Sequence, residues 1–163
     1  MPKARKSTEA ARPAPGKPAT AGEARPAAPA GAKGAHLDAV FDELVALLRQ
    51  HAPPFRDDIA YPVRNKRSFQ LTVPKPVVVP GSYGGKPVDL AIASVIHQKG
   101  YVGLYLMGIY GNAELKKQLS PGFLKLLKGK CCFHMKGLDE TIRKDITTAV
   151  KAGTQEYRRR GYL

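Results

Sequence analysis

The sequence predicts an α+β fold: a small two-layer α/β sandwich with a mainly antiparallel sheet, a central hairpin and helices packed on one face. Three stretches carry this prediction. Residues 36–51 and the residues after Asp139 place apolar side chains at the spacing of one helix face, whereas residues 88–107 alternate as strands do. A chain of 163 residues is long enough to bury one core of this kind.

Residues 1–34 are predicted to form a disordered tail, which leaves residues 35–163 for the domain. The tail consists mainly of Ala, Pro, Gly, Lys and Arg, has no aromatic residue, and contains only Glu9 and Glu23 as acids. It is either a solvated tether or an arm that binds nucleic acid or another polyanion. A cleaved transit peptide is a third alternative, although the prolines and glycines would spoil an amphipathic helix. The candidate polyanion contacts are Lys3, Arg5, Lys6 and Arg12.

The chain is strongly basic, with a formal net charge of +14 at pH 7. Such an excess favours polyanionic partners through long-range attraction and counterion release. No apolar run approaches the length of a membrane span, and the N-terminus lacks the apolar core of a secretory signal. The cysteines, Cys131 and Cys132, are adjacent and poorly placed to bridge each other. We therefore expect a cytoplasmic protein without a membrane partner.

The first helix is predicted over residues 36–51, with Leu37, Phe41, Leu44 and Leu48 on one apolar stripe. The connection that follows contains Tyr61 and then a basic triplet beginning at Arg64. Arginine and tyrosine together can hold a carboxylate or a phosphate, so Tyr61 and Arg64 are candidate ligand-binding residues. The alternative is a solvated basic loop.

Residues 69–79 alternate enough to form a strand, but Pro74 and Pro76 cannot donate hydrogen bonds to a ladder. The strand is therefore expected at a sheet edge, or divided in two. The glycine-rich residues 81–85 should turn the chain back, because no helix and no P-loop lysine follow them.

The central hairpin is predicted between Val88 and Met107, around the loop Gln98-Lys99-Gly100. A three-residue loop with Gly100 in the left-handed conformation makes one face almost wholly apolar. It pairs Ile96 with Val102, Ser94 with Leu104 and Ile92 with Leu106. A two-residue loop would instead pair Ile96 with Gly103 and His97 with Val102. Because that register mixes apolar and polar residues on both faces, the pattern favours the longer loop.

Two short helices are expected after the hairpin, capped by Asn112 and by Ser120 before Pro121. This connector is rich in lysine, and Lys116 and Lys117 are further candidate polyanion contacts. Residues 130–136 form a strand with Phe133 on one face and Cys132 and His134 on the other. Asp139 caps the last helix, whose buried stripe is Ile142, Ile146, Ala149, Val150, Gly153 and Tyr157.

The predicted register places several chemically active side chains on one mixed sheet face. They are His97, Tyr101, Tyr105, Cys132 and His134. If His97, Cys132 and His134 converge, a thiolate and two imidazoles would suit Zn²⁺ or another borderline metal. The alternative is an inert cysteine with solvated or backbone-bonded histidines. The sequence identifies no cofactor.

From Phe41 to the C-terminus the chain resembles the YdhG-like family, a domain family of unknown function with some members described as frataxin-like iron chaperones. The resemblance is carried by KGYVGLYLMGIY in the hairpin, by LSPGFLKLLKGKCCFHMK, and by a final helix ending in EYRRRGYL. These blocks occur in the order found in the family, and the resemblance covers nearly the whole domain. It implies a small α/β sandwich and does not imply catalysis.

Three functional hypotheses follow. The first is a non-catalytic binding module that takes a small ligand, a metal or a protein on its mixed sheet face. The second is an accessory protein that binds nucleic acid or another polyanion through the basic tail and the lysine-rich connector. The third is an enzyme that uses Cys132 with His134 or His97, but no third group that would orient the base is evident. The sequence favours the first.

Overall fold

A computed structural model of the chain describes residues 32–57 and 66–163. Within these ranges the predicted α+β architecture is confirmed: four α-helices accompany a five-stranded antiparallel sheet and a separate two-stranded ribbon. The helices are α1 (Ala32–Arg49), α2 (Ala113–Lys117), α3 (Pro121–Lys125) and α4 (Glu140–Arg159). The first helix begins at Ala32, so the boundary predicted between residues 34 and 35 falls inside it.

The five-stranded sheet has the order β1-β4-β5-β7-β6, and β2 pairs with β3 in the ribbon. The strands are β1 (Ser68–Thr72), β2 (Val77–Val78), β3 (Pro87–Val88), β4 (Ala91–His97), β5 (Val102–Leu106), β6 (Leu127–Lys128) and β7 (Cys132–Met135). The predicted strand over residues 69–79 is both divided and at an edge. Its first part is edge strand β1, and its second part is β2, because two prolines lie between them.

The predicted register of the central hairpin is wrong by one residue. His97 pairs with Val102, Ile96 with Gly103 and Val95 with Leu104. The amide of Gln98 donates to the carbonyl of Tyr101 at 3.0 Å, so Lys99 and Gly100 alone form the loop. Gly100 is not in the left-handed conformation. This is the two-residue loop that the pattern disfavoured.

The outer strands explain the register. One apolar row crosses the sheet, and each of its residues pairs with the next one on the adjacent strand: Phe69 of β1, Val95 of β4, Leu104 of β5 and Phe133 of β7. The sequence of the hairpin alone contains only the middle two residues of this row. Five consecutive residues of β4 are buried, so alternation within it could not distinguish its two faces.

All the helices that contact the sheet lie on the side of this apolar row. The ring of Phe123 from α3 stacks on Phe133 with centroids 4.1 Å apart, and Phe41 of α1 lies 6.4 Å from the ring of His97. The predicted caps are confirmed: the side chains of Asn112, Ser120 and Asp139 each accept an amide hydrogen bond in the first turn of a helix. Helices therefore cover one sheet face.

Helix α4 comes unusually close to the turn after β5. A Cβ added to Gly108 would lie 2.7 Å from the Cα of Gly153, and one added to Gly153 would lie 3.2 Å from Cδ1 of Ile92. Ile92 is the extra residue of a bulge, because Leu71 pairs with Ala93 and Thr72 with Ala91. The bulge therefore supplies the side chain on which α4 packs.

An arginine fork ties α1 to the start of β1. Arg67 donates to Asp38 at 2.8 Å and to Asp42 at 2.5 Å, and its guanidinium lies 4.5 Å from the centroid of the Phe41 ring. Burial alone would lower the pKa of Arg67, but the hydrogen bonds to the two carboxylates outweigh it and raise that pKa.

Candidate functional site

The sheet face opposite the helices, called here the polar face, carries a continuous row of polar side chains. Cross-strand pairing aligns Gln70, Ser94, Tyr105, Cys132 and Lys128 from β1 to β6. Side chains of paired residues lie on the same side of a sheet, so these five share one surface. No helix of the described residues lies on it.

Accessibility varies across the polar face. Gln70 on β1 and Ser94 on β4 are buried. Lys128 is exposed, and the side chains between, Tyr105, Cys132 and His134, are partly exposed. The part of the face that a ligand can reach therefore lies over β5, β7 and β6.

The ring of Tyr105 extends over Gly103. A Cβ added to Gly103 would meet Cε2 of Tyr105 at 3.1 Å and its hydroxyl oxygen at 3.6 Å, so the tyrosine ring occupies the space that a side chain at Gly103 would fill. The outer end of the ring is thus held over the backbone of β5. An isolated glycine inside a strand pattern, such as Gly103 between Val102 and Leu104, is a sequence signal for such a close approach.

Tyr101 and His134 form a second aromatic unit beside Tyr105. Their rings are stacked with centroids 3.7 Å apart and an interplanar angle of 13°. His134 pairs with Gly103, so the stacked pair stands directly next to the glycine over which Tyr105 lies. Tyr101, Tyr105, Cys132 and His134 are therefore brought together as predicted, and we call them the aromatic cluster.

His97 does not belong to this cluster. It pairs with Val102, which pairs with Met135, and thus lies on the helix-covered face. Its Nε2 is buried 3.5 Å from the carboxylate of Asp38 and makes no hydrogen bond to any described residue. The one-residue register error placed it on the wrong face, and the predicted convergence of His97, Cys132 and His134 is wrong. Among the described residues no group of three His, Cys, Asp or Glu side chains is placed to hold a metal.

The cysteine thiols are poor nucleophiles in this setting. Burial raises the pKa of Cys132, and its hydrogen bond with Tyr105 offsets only part of that effect. Burial and the neighbouring Cys132 raise the pKa of Cys131, whose Sγ lies 3.9 Å from Sδ of Met107. Since the thiolate is the reactive form, neither side chain is activated for covalent catalysis.

One exposed lysine lies beside the aromatic cluster on the polar face. Lys128 ends the polar row at the β6 edge. Lys99, in the hairpin loop, and Lys136, directly after β7, instead line a cavity with Leu37 of α1 and His97. Within the described ranges none of these three lysines forms an ion pair. Lys128 is thus the cation that the strand pairing places in the polar row.

The other predicted contacts are distributed differently. Tyr61, Arg64, Lys3, Arg5, Lys6 and Arg12 lie outside the described residues. Lys116 and Lys117 lie on α2, and Lys117 is paired with Glu114 at 2.7 Å. Neither belongs to the cross-strand row of the polar face.

A second concave region lies between α2 and the C-terminal end of α4, with a volume of about 480 Å³. Its two cations, Arg159 and Arg160, are both paired with Glu156. Anion binding there would compete with these ion pairs, which makes this cavity a weaker candidate than the polar face.

Comparisons with family models, with curated proteins and with solved structures found no match. In the two described ranges, no helix combines the length and apolarity needed to cross a membrane. The resemblance to the YdhG-like family stays a prediction from the sequence.

Proposed function

We propose that the domain is a non-catalytic binding module and that the aromatic cluster on its polar face receives a ligand with a flat unsaturated group. The observation that carries the proposal is the placement of Tyr105 over Gly103, beside the stacked Tyr101 and His134. Rings fixed in this way present large contact areas at little cost in conformational entropy.

Several features support binding over catalysis at this face. Both cysteine pKa values are raised, and His97, the histidine proposed as an alternative base, lies on the other side of the sheet. Tyr101, Tyr105 and His134 supply ring faces and hydrogen-bonding groups, which are the elements of a recognition surface.

Saturation-transfer NMR with adenosine monophosphate as the probe tests this proposal. We expect transfer to the adenine protons in the full chain, and loss of most of it in Tyr105→Ala. Tyr83→Ala is the matched control, because Tyr83 is 58% exposed in the turn between β2 and β3. Transfer that is absent in the wild type, or equal in both variants, would contradict binding on the polar face.

The second candidate function is polyanion binding through the basic tail, which the net charge of +14 favours. A chain lacking residues 2–31 should then bind duplex DNA more weakly, and the wild-type affinity should fall steeply with salt. Equal affinity of the two chains, or affinity that persists at high salt, would exclude this mode.

We also propose a cytoplasmic location, which the two free thiols support. Fractionation of cells expressing the tagged chain tests it, and recovery in a membrane or secreted fraction would contradict it.

A further inference from the structure

We infer that the ligand of the aromatic cluster is a single strand of nucleic acid, whose bases stack on the rings while its phosphates meet Lys128. This inference rests on the proposed binding function and names its ligand class. Single-stranded nucleic acids are bound by combining aromatic platforms with a basic surface that tracks the backbone.

The aromatic cluster offers two ring units. Tyr101 lies directly before β5, and the ring of Tyr105 extends over Gly103, whose pairing partner His134 stacks on Tyr101. One base stacks on Tyr105, and a second stacks on the Tyr101–His134 pair. A base inside a duplex has both faces covered by its neighbours, so only an unpaired strand can use both positions.

The charges complement this arrangement. Lys128 is exposed and stands in the same cross-strand row as Tyr105 and Cys132. A strand that stacks on Tyr105 therefore has an exposed ammonium group beside it. Contacts of this kind attract phosphates without reading the base sequence.

The polar face lacks the features that would favour a hydrophobic partner. Its row contains a glutamine, a serine and a lysine, and the exposed large apolar side chains of the described residues, Val78, Tyr83 and Tyr110, lie outside this row. Aromatic rings beside an exposed lysine match a polyanion that carries flat groups.

Fluorescence anisotropy with the full chain tests the inference. The probes are a labelled twelve-nucleotide oligo(dT), the same length of duplex, and labelled heparin. We expect the single strand to bind more tightly than the duplex at equal salt. Tyr105→Ala and Tyr101→Ala should each weaken single-strand binding about fivefold to a hundredfold, the range for loss of one stacked base.

Two further variants separate stacking from charge and from misfolding. Gly103→Ala retains every ring and charge but displaces Tyr105, and should weaken single-strand binding as Tyr105→Ala does. Lys128→Ala should weaken binding and reduce the salt slope by about one. Lys151→Ala, which removes an exposed lysine from α4, is the charge-matched control and should leave both unchanged. Unchanged thermal midpoints show that these variants fold.

Duplex or heparin binding as tight as single-strand binding would overturn the inference, as would ring variants with wild-type affinity for the single strand. The experiment with adenosine monophosphate distinguishes failure of the ligand class from failure of the binding function. If it still gives transfer that depends on Tyr105, the binding function stands and only the ligand class fails. If neither probe depends on Tyr105, both fail.

Discussion

Leu104 lies in the middle of the apolar row and is fully buried, with Val95 and Phe133 as its paired neighbours. Leu104→Ala would leave a cavity beneath the helices, so we expect the free energy of unfolding to fall by about 2–5 kcal/mol. Urea denaturation measures it. Val78→Ala is the matched control, because Val78 is 49% exposed and its truncation should change stability by less than about 0.5 kcal/mol. A near-neutral Leu104→Ala would mean that the helices cover the other face.

His51 links stability to pH. Burial and the charge of Lys151 lower its pKa from 6.5 in the folded state. The unfolded chain therefore takes up a proton more readily, and the stability contributed by neutral His51 is present above the unfolded pKa and lost as pH falls below it. We expect the thermal midpoint to decrease from pH 7.5 to pH 5.5, and to decrease less in His51→Gln. An equal decrease in both proteins would remove His51 as the cause.

At the scale of the elements, the close approach of α4 to the turn after β5 means that a side chain at Gly153 would have two opposing effects on stability: better helix propensity and steric overlap. Gly153→Ala should stabilise an isolated helix by about 1 kcal/mol, since alanine is the better helix former. The added Cβ would lie 3.0 Å from the Cα of Gly108, which is backbone, and 3.2 Å from Cδ1 of the buried Ile92. We expect the steric cost to exceed the helix gain, so that Gly153→Ala destabilises the domain in urea.

Gly122→Ala is the control for this prediction. Gly122 lies in α3, and a Cβ there would come no closer than 3.9 Å, to Oγ of Ser120. It should therefore leave the stability unchanged or raise it slightly. If Gly153→Ala stabilises the protein as much as Gly122→Ala does, the close packing of α4 is not rigid.

Local features of the elements were predictable and long-range ones were not. The caps Asn112, Ser120 and Asp139 follow from residues within one helical turn, which the sequence places together. The hairpin register depends on β1 and β7, strands that are distant in sequence, and a one-residue error moved His97 to the opposite face. Strand β6, with only two residues, gave no periodic signal, so Lys128 could not be placed in the polar row.

At the scale of the whole molecule, the tail and the domain should be separable. Residues 1–31 contain no aromatic residue and few groups that could join a core. A chain lacking residues 2–31 should keep its thermal midpoint within about 2 °C, less than the shift that 1 kcal/mol produces in a domain of this size. Differential scanning calorimetry of the two chains makes the comparison, and a larger drop would mean that the tail contributes to the packed structure.

The sheet divides the described part of the molecule into a helix-covered face that holds the core and a polar face on which no described helix lies. The Tyr105 ring over Gly103 and the stacked Tyr101 and His134 give this second face its chemistry. The sequence predicted which side chains share it, with the exception of His97. It could not predict how the rings lie, because ring orientation depends on contacts across three strands.

A map of backbone amide shifts during titration with adenosine monophosphate tests the binding function of the polar face most directly. We predict that the largest changes fall on Tyr101, Gly103, Tyr105 and His134, which surround the rings. Largest changes in α1 or α4, or around the cavity near Tyr110 and Arg159, would contradict the assignment, as would a spectrum that does not change.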